Sequence, residues 1–197
     1  MIKHLLRKKE YVTISKRNFD EASSKVNIPD GKWLNCPKCK NIIYKEDLEK
    51  NDSVCINCGY HFNLDAKNRI NNIFDENTFV ELFKDIKSTN PLNFPDYEKK
   101  LDDNKLKSGL DEACITGYGL INSKKVCACI MDNKFLMGSM GCTVGEKITS
   151  LVEYATDKNL PVIIFTTSGG ARMQEGIFSL MQMAKVSQAI SKHSDKG

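Results

Sequence analysis

Residues 162–185 read VIIFTTSGGARMQEGIFSLMQMAK, and this stretch decides the fold. Four apolar residues, typical of a buried strand, lead to the paired glycines Gly169 and Gly170, after which apolar residues recur at helical spacing. Apolar side chains cover most of the helical circumference from residue 177 to residue 190. We therefore expect a buried strand, a glycine turn and a helix enclosed by protein, with its methionines filling the core.

A second glycine-rich stretch lies one strand–helix unit earlier. Residues 137–141 (MGSMG) fall between a predicted strand that ends near Asp132 and a predicted helix that begins near Val144. Backbone amides without partners collect at such turns and suit a developing oxyanion, and two of them would meet at the carboxyl edge of one sheet. The glycines are equally compatible with tight turns alone. The sequence contains neither the common nucleotide-binding fingerprints nor a nucleophile elbow.

The remaining apolar patterns indicate an α/β protein. We predict a short helix capped by Asp65, an exposed helix from Tyr97 to about Ser108, and a hairpin formed by residues 113–118 and 125–132. An apolar stripe at helical spacing predicts one amphipathic helix after the hairpin: Val144, Ile148, Leu151, Val152 and Ala155.

The eight cysteines fall into two groups. Two Cys-x2-Cys pairs are separated by 15 residues, the spacing that brings four thiolates around one zinc ion: Cys36, Cys39, Cys55 and Cys58. Four sulfur ligands leave no open position, so we predict one structural zinc ion per chain, with reduced thiols or disulfides as the alternative. The second group shows no such spacing: Cys114, Cys127, Cys129 and Cys142. Cys127 and Cys129 alternate within a predicted strand and are expected to be buried structural thiols.

Composition and charge limit the class of protein. With 41% hydrophobic and 27% charged residues, the chain has the composition of a soluble globular protein, and no apolar run approaches the length of a bilayer span. The net charge of +4 originates in residues 1–35, which hold eight Lys and Arg against four Asp and Glu. We interpret residues 1–32 as a basic arm, either solvated or used for electrostatic docking, and expect a cytoplasmic protein without membrane association.

Four motifs together resemble one enzyme family. They are WLNCPKCKNIIY, VCINCGYHFNLDAKNRI, GSMGCTVGEKI and SGGARMQEGIFSLMQMAK, and they resemble the beta subunit of the bacterial-type acetyl-CoA carboxylase carboxyltransferase. The resemblance implies an α/β architecture in which a four-cysteine zinc ribbon (residues 33–64) precedes a crotonase-like domain of ββα units (residues 65–197). Because members of that family continue beyond the last helix, we expect residues 65–197 to be an incomplete, N-terminal portion of the domain that is inactive alone.

The resemblance also implies a reaction and a set of partners. Such a subunit transfers the carboxyl group of carboxybiotin to acetyl-CoA and forms malonyl-CoA for fatty acid synthesis, within the ATP-dependent carboxylase complex. The expected partners are an alpha subunit, in a heterotetramer of two alpha and two beta subunits, a biotin carboxyl carrier protein that bears the biotin, and biotin carboxylase.

The implied chemistry assigns roles to the two glycine turns. The amides of Gly169 and Gly170 are expected to bind the oxygen of the thioester enolate, and Arg172 to bind a phosphate or carboxylate of the substrate unless it forms a structural salt bridge. We expect Glu175 to compensate the dipole of the helix that follows it. The residues expected to line the substrate pocket are Gly138, Ser139, Met140 and Gly141.

Two other functions remain open at this point. A related acyl-CoA or malonate carboxyltransferase subunit would share every motif and differ in the size of its acyl pocket. A zinc-ribbon protein that binds nucleic acid weakly would explain the ribbon and the basic arm but gives no reason for the two glycine turns.

Overall fold

The computed structural model of the protein describes residues 31–197, so nearly all of the predicted basic arm (residues 1–32) lies outside the described residues. The described chain begins with a small antiparallel sheet of β1 (Trp33–Asn35) and β2 (Ile42–Tyr44), followed by the helix α1 (Lys45–Lys50). Ile43 and Leu48 pack with the four cysteines of the two Cys-x2-Cys pairs. This apolar core is very small, so a domain of this kind depends on a metal or another cross-link for its stability.

A four-stranded sheet forms the larger part of the protein. Its strands are β3 (Val80–Glu81), β4 (Cys114–Ile121), β5 (Lys124–Met131) and β6 (Val162–Phe165), in the order β3-β4-β5-β6. β4 and β5 form the predicted antiparallel hairpin, which confirms that expectation, whereas β6 pairs with β5 in parallel. A parallel neighbour requires a crossover, and a helix supplies it.

Four longer helices accompany this sheet: α2 (Ala66–Ile73), α3 (Tyr97–Ser108), α4 (Cys142–Lys158) and α5 (Ile177–Asp195). Asp65 caps α2 as predicted, because its carboxylate accepts a hydrogen bond from the Asn68 amide at 2.8 Å. The helix α4 is the crossover between β5 and β6, and its predicted apolar stripe is buried against the sheet. Burying a Val, Ile or Leu side chain contributes roughly 1.5–3 kcal/mol, so this stripe stabilises the domain strongly.

Two expectations about burial are wrong. The strand β6 is half-buried rather than buried, because among the described strands it has a neighbour on one side only. The helix α5 is not enclosed: it packs on α4 and leaves most of its large apolar side chains exposed, so its methionines do not fill the core. The exposed apolar side chains of α5 are Ile177, Phe178, Leu180, Met181, Met183 and Ile190.

Among residues 31–197, no helix is both long and apolar enough to cross a bilayer.

Candidate active site and metal centre

The two glycine turns lie side by side at the carboxyl edge of the sheet. The first glycine turn (residues 137–141) follows β5 and leads into α4, and the second glycine turn (residues 168–170) follows β6. The Met140 amide donates to the Gly170 carbonyl at 2.8 Å, and the Arg172 amide donates to the Met140 carbonyl at 2.9 Å. The structure thus brings the two glycine motifs together at one edge of the sheet, as expected for turns that follow neighbouring parallel strands.

The second glycine turn has an open face. Ser168, Gly169 and Gly170 are exposed, and Gly170 has a φ of +88°, with no heavy atom of the described residues within 4 Å of the position of a Cβ. The Gly170 amide donates to Ser168 Oγ at 3.0 Å, whereas the Gly169 amide donates to no acceptor among residues 31–197. A ligand can therefore approach the main chain here.

The first glycine turn, which is predicted to line a substrate pocket, is less open than the second. Gly138, Ser139 and Gly141 are buried, and the amides of Gly138 and Ser139 donate to the carbonyls of Phe135 and Leu136 just before the turn. A Cβ at Gly138 would stand 2.7 Å from Thr167 Cγ2, on the segment that leads into the second turn. Met140 is half-buried, and both of its main-chain polar groups are used in pairing with the second turn. These glycines permit close packing and support the neighbouring turn.

Arg172 forms a buried structural salt bridge, which is the second of the two roles expected for it from the sequence. Its side chain is 1% exposed and forms a two-armed ion pair with Glu112, whose side chain is equally buried. Arg172 Nε also donates to Ser139 Oγ at 3.2 Å. A guanidinium that is held on both arms inside the protein cannot reach a phosphate at the surface. Removing one partner of a buried pair typically costs about 3–5 kcal/mol.

Glu175 serves a different helix from the one expected. Its carboxylate accepts hydrogen bonds from the Tyr97 hydroxyl at 2.6 Å and from the Cys142 amide, which is the first amide of α4. Arg172 Nη1 lies 3.5 Å from Glu175 Oε1. The Glu175 carboxylate therefore compensates the dipole of α4 rather than that of α5, which follows it in the chain.

The titratable groups around these carboxylates favour their protonated forms. Burial and the hydrogen bond to Glu175 raise the pKa of Tyr97, and burial together with Glu175 raises the pKa of the Cys142 thiol to about 12. Burial alone would lower the pKa of Arg172, but the hydrogen bonds and the charge of Glu112 outweigh it and raise the pKa. Cys142 is therefore a neutral thiol and not a nucleophile at neutral pH. Cys127 is likewise buried with a raised pKa, because burial disfavours its thiolate.

A cavity of about 300 Å³ lies beside the second glycine turn. Its walls come from residues 62–64 at the end of the ribbon, Arg69 of α2, Asn133 after β5 and residues 165–167 at the end of β6. The Arg69 guanidinium carbon stands 5.3 Å from the centre of the Phe165 ring. Sequence reasoning missed this cavity because four separate segments form it and no local pattern shows that they come together.

The four cysteines of the ribbon are arranged as ligands of one metal ion. The sulfur atoms of Cys36, Cys39, Cys55 and Cys58 lie within 4.8 Å of one another. The Lys40 amide donates to the Cys36 carbonyl and the Gly59 amide to the Cys55 carbonyl, both at 2.9 Å, so the two pairs form equivalent tight turns. Burial would raise the pKa of Cys36, but hydrogen bonds from the Cys39 and Lys38 amides lower it to about 6. This donor set suits zinc.

Comparison with known families defines the class of protein first. A family described as "Carboxyl transferase domain" matches residues 63–197, and one described as "Acetyl-CoA carboxylase zinc finger domain" matches residues 33–58. The acetyl-coenzyme A carboxylase carboxyl transferase subunit beta of Clostridium botulinum (strain Eklund 17B / Type B) is 52% identical over 199 residues, which cover 100% of this chain and 68% of the relative. The chain belongs to the family of acetyl-CoA carboxylase carboxyl transferase beta subunits, and carboxyl transfer to acetyl-CoA is the function of that family.

A second relative joins two subunits in one protein. The Natranaerobius thermophilus protein named acetyl-coenzyme A carboxylase carboxyl transferase subunits beta/alpha is 52% identical over 205 residues, which cover 100% of this chain and 34% of that protein. The family therefore works within a carboxylase of several components.

Solved structures share the fold. Transcarboxylase 12S, determined with methylmalonyl-coenzyme A and methylmalonic acid bound, is 29% identical, with a TM-score of 0.55. The match covers 74% of this chain and 26% of the transcarboxylase chain. A Pseudomonas malonate decarboxylase hetero-tetramer in complex with malonate is 24% identical, with a TM-score of 0.53 over 68% of this chain and 48% of its own, and it shows likeness of fold alone. The ribbon and the sheet thus belong to a zinc-ribbon carboxyltransferase with a crotonase-like fold.

Proposed function

We propose that the chain provides the acetyl-CoA side of carboxyl transfer and that its second glycine turn stabilises the enolate of the thioester. Acetyl-CoA must lose a methyl proton before its carbon can attack carbon dioxide, and the charge that develops accumulates on the thioester oxygen. Carboxybiotin on a partner protein would supply the carbon dioxide, and the biotin ureido anion that remains would take the methyl proton. An amide that points at the enolate oxygen lowers the barrier, and donors of this kind are worth about 3–4 kcal/mol each in other enzymes.

The open face of the second glycine turn is the observation that carries this proposal. The Gly169 amide is the stronger candidate donor, because it has no acceptor among the described residues, whereas the Gly170 amide is occupied by Ser168 Oγ and becomes available when that hydroxyl rotates. The adjacent cavity, whose lining extends to Thr167, offers a thioester a place next to the turn. Its Arg69 and Asn133 offer polar contacts for the phosphopantetheine arm of the coenzyme.

The domains, the metal and the partners are parts of the same proposal. Residues 33–64 form the ribbon and bind one structural zinc ion, and residues 65–197 form the carboxyltransferase portion. The alpha subunit, the biotin carboxyl carrier protein and biotin carboxylase are the proposed partners, in a cytoplasmic complex with two alpha and two beta subunits. The relative in which beta and alpha subunits are joined supports the first of these partnerships.

The acyl preference decides between this function and a related carboxyltransferase. A full-length beta subunit that contains this chain, assembled with its alpha subunit and supplied with carboxylated biotin, should convert acetyl-CoA at least about tenfold more efficiently than propionyl-CoA, since a methylene group in a fitted pocket is worth about 10–200-fold. Faster formation of methylmalonyl-CoA than of malonyl-CoA would assign the chain to the related function.

Metal analysis tests the ribbon separately. Purified protein should contain one zinc ion per chain, and Cys55→Ser should lose most of it, because three thiolates and a hydroxyl hold zinc poorly. Cys127→Ala is the control: its thiol is buried in the large sheet, so the zinc content should not change. Zinc that persists undiminished in Cys55→Ser would refute the four-cysteine site.

A further inference from the structure

A buried charged cluster lies directly behind the two glycine turns, and the proposed reaction makes no use of it. Its four members are at most 3% exposed: Tyr97, Glu112, Arg172 and Glu175. Two carboxylates share one guanidinium, so the cluster carries an excess negative charge. The Tyr97 hydroxyl and the first amide of α4 donate to Glu175 and offset this excess.

The cluster contacts the first turn and is joined through the chain to the second, near the place where the two turns pair. Arg172 follows the second turn, and its side chain reaches back to Ser139 of the first turn. Glu175 binds the amide that follows Gly141. A Cβ on Gly141 would lie 2.7 Å from both Arg172 Nη1 and Glu175 Oε1, so the main chain of the first turn rests directly on the cluster.

The cluster is in turn fixed to the rest of the domain. Glu112 accepts a hydrogen bond from the Ala113 amide at 2.7 Å, immediately before β4, and another from Ser88 Oγ. Tyr97 is the first residue of α3. Side chains of the cluster therefore link the segment that follows the second glycine turn to α3, β4 and α4. The pairing with Met140 holds the turn as well.

We propose that the cluster consists of positioning residues: Tyr97, Glu112, Arg172 and Glu175. They hold the second glycine turn so that its amides lie at hydrogen-bonding distance from the thioester oxygen. The inference rests on the proposed function of that turn. An oxyanion donor works only within a narrow range, about 2.7–3.1 Å from the developing charge. A shift of the turn should therefore lower kcat while binding of the rest of acetyl-CoA, and so KM, stays nearly constant.

The mildest test removes one hydrogen bond from the cluster. Tyr97→Phe keeps the buried ring and deprives Glu175 of its hydroxyl donor. In the enzyme assembled with its alpha subunit, we expect kcat for malonyl-CoA formation to fall about tenfold and KM for acetyl-CoA to change less than about threefold, because small misplacements near a reacting centre cost up to about 100-fold. Rates are compared well below the unfolding temperature of each variant.

Two further variants complete the test. Tyr154→Phe is the matched control, because Tyr154 stacks on Tyr118, away from both turns, and its kcat should equal that of the wild type. Glu175→Gln keeps the shape and removes the charge, so kcat should fall further than in Tyr97→Phe. A kcat within about twofold of wild type in folded Tyr97→Phe overturns the inference, and so does a loss of equal size in Tyr154→Phe.

Gly170→Val separates this inference from the proposed function. An inactive Gly170→Val enzyme beside a fully active Tyr97→Phe enzyme overturns the positioning role alone. A normal rate in Gly170→Val removes the oxyanion role of the turn, and the positioning role with it.

Discussion

The two glycine turns look alike in the sequence and differ in the structure. Gly138 and Gly141 of the first turn are buried where other atoms leave no room for a side chain. Gly170 of the second turn is exposed, in a backbone conformation that L side chains rarely adopt, and faces open space. Packing therefore explains the glycines of the first turn and also Gly169, whose Cβ would lie 2.9 Å from Met137 Cβ, whereas access to the main chain explains Gly170.

The difference assigns separate tasks to the turns. The first turn, with the charged cluster beneath it, forms a rigid support, and the second turn presents amides on that support. Substitutions in the second turn should therefore affect catalysis more than folding, and substitutions in the first should affect folding directly.

Gly170→Val should have the largest effect on activity. The branched side chain obstructs the open face and opposes a φ of +88°, so we expect malonyl-CoA formation by the assembled enzyme to fall by roughly 100-fold or more, as when an oxyanion donor is removed elsewhere. Thermal unfolding and zinc content, measured on the same protein, should change much less.

Gly109→Val is the matched control for backbone strain. Gly109 ends α3 with a φ of +67°, and no heavy atom of the described residues lies within 4 Å of the position of its Cβ. Valine there meets a similar conformational cost outside both turns, so activity should stay near that of the wild type. An equal loss of activity in both variants would mean that strain, and not access to the amides, explains the result at Gly170.

Gly141→Ala should lower the stability of the protein. The added methyl group would overlap Arg172 and Glu175 in the buried cluster, and overpacking of this kind costs about 1–3 kcal/mol in the free energy of unfolding. Urea or thermal unfolding measures this loss, and Gly170→Ala, whose methyl group meets no described atom within 4 Å, should lose less. If Gly141→Ala is as stable as the wild type, the first turn does not rest on the cluster.

Local patterns explain what could be predicted from the sequence. The paired cysteines, the hairpin and both strand–glycine–helix junctions depend on residues that lie close together in the chain, so spacing alone predicted them. The charged cluster depends on residues that are distant in the chain: Glu112 precedes Arg172 by 60 residues and Tyr97 precedes it by 75. No local pattern marks either residue as a partner of Arg172, which is why substrate binding remained an open role for that arginine.

The errors about burial have a related cause. Apolar residues around the whole circumference of α5 predict contact on all sides, but they do not say which surface provides it. In the described structure α4 covers one side of α5 only. The two-residue strand β3 was missed for the opposite reason, since its pairing with β4 leaves almost no pattern in so short a segment.

Ser168→Ala should have the smallest effect on activity, and it tests whether the second turn acts through its amides or through a side chain. The hydroxyl oxygen of Ser168 accepts a hydrogen bond from the Gly170 amide at 3.0 Å. This hydrogen bond uses an amide that is proposed to donate to the enolate oxygen. Removing it takes away a weak local contact, worth about 0.5–1.5 kcal/mol to the turn, and frees the amide, so the two consequences oppose each other. The rate of malonyl-CoA formation should therefore change by less than about threefold, with thermal unfolding nearly unchanged. If Ser168→Ala abolished activity while Gly170→Val remained near wild type, the serine hydroxyl would be the chemical centre, and the second turn would serve to present a side chain instead of its backbone.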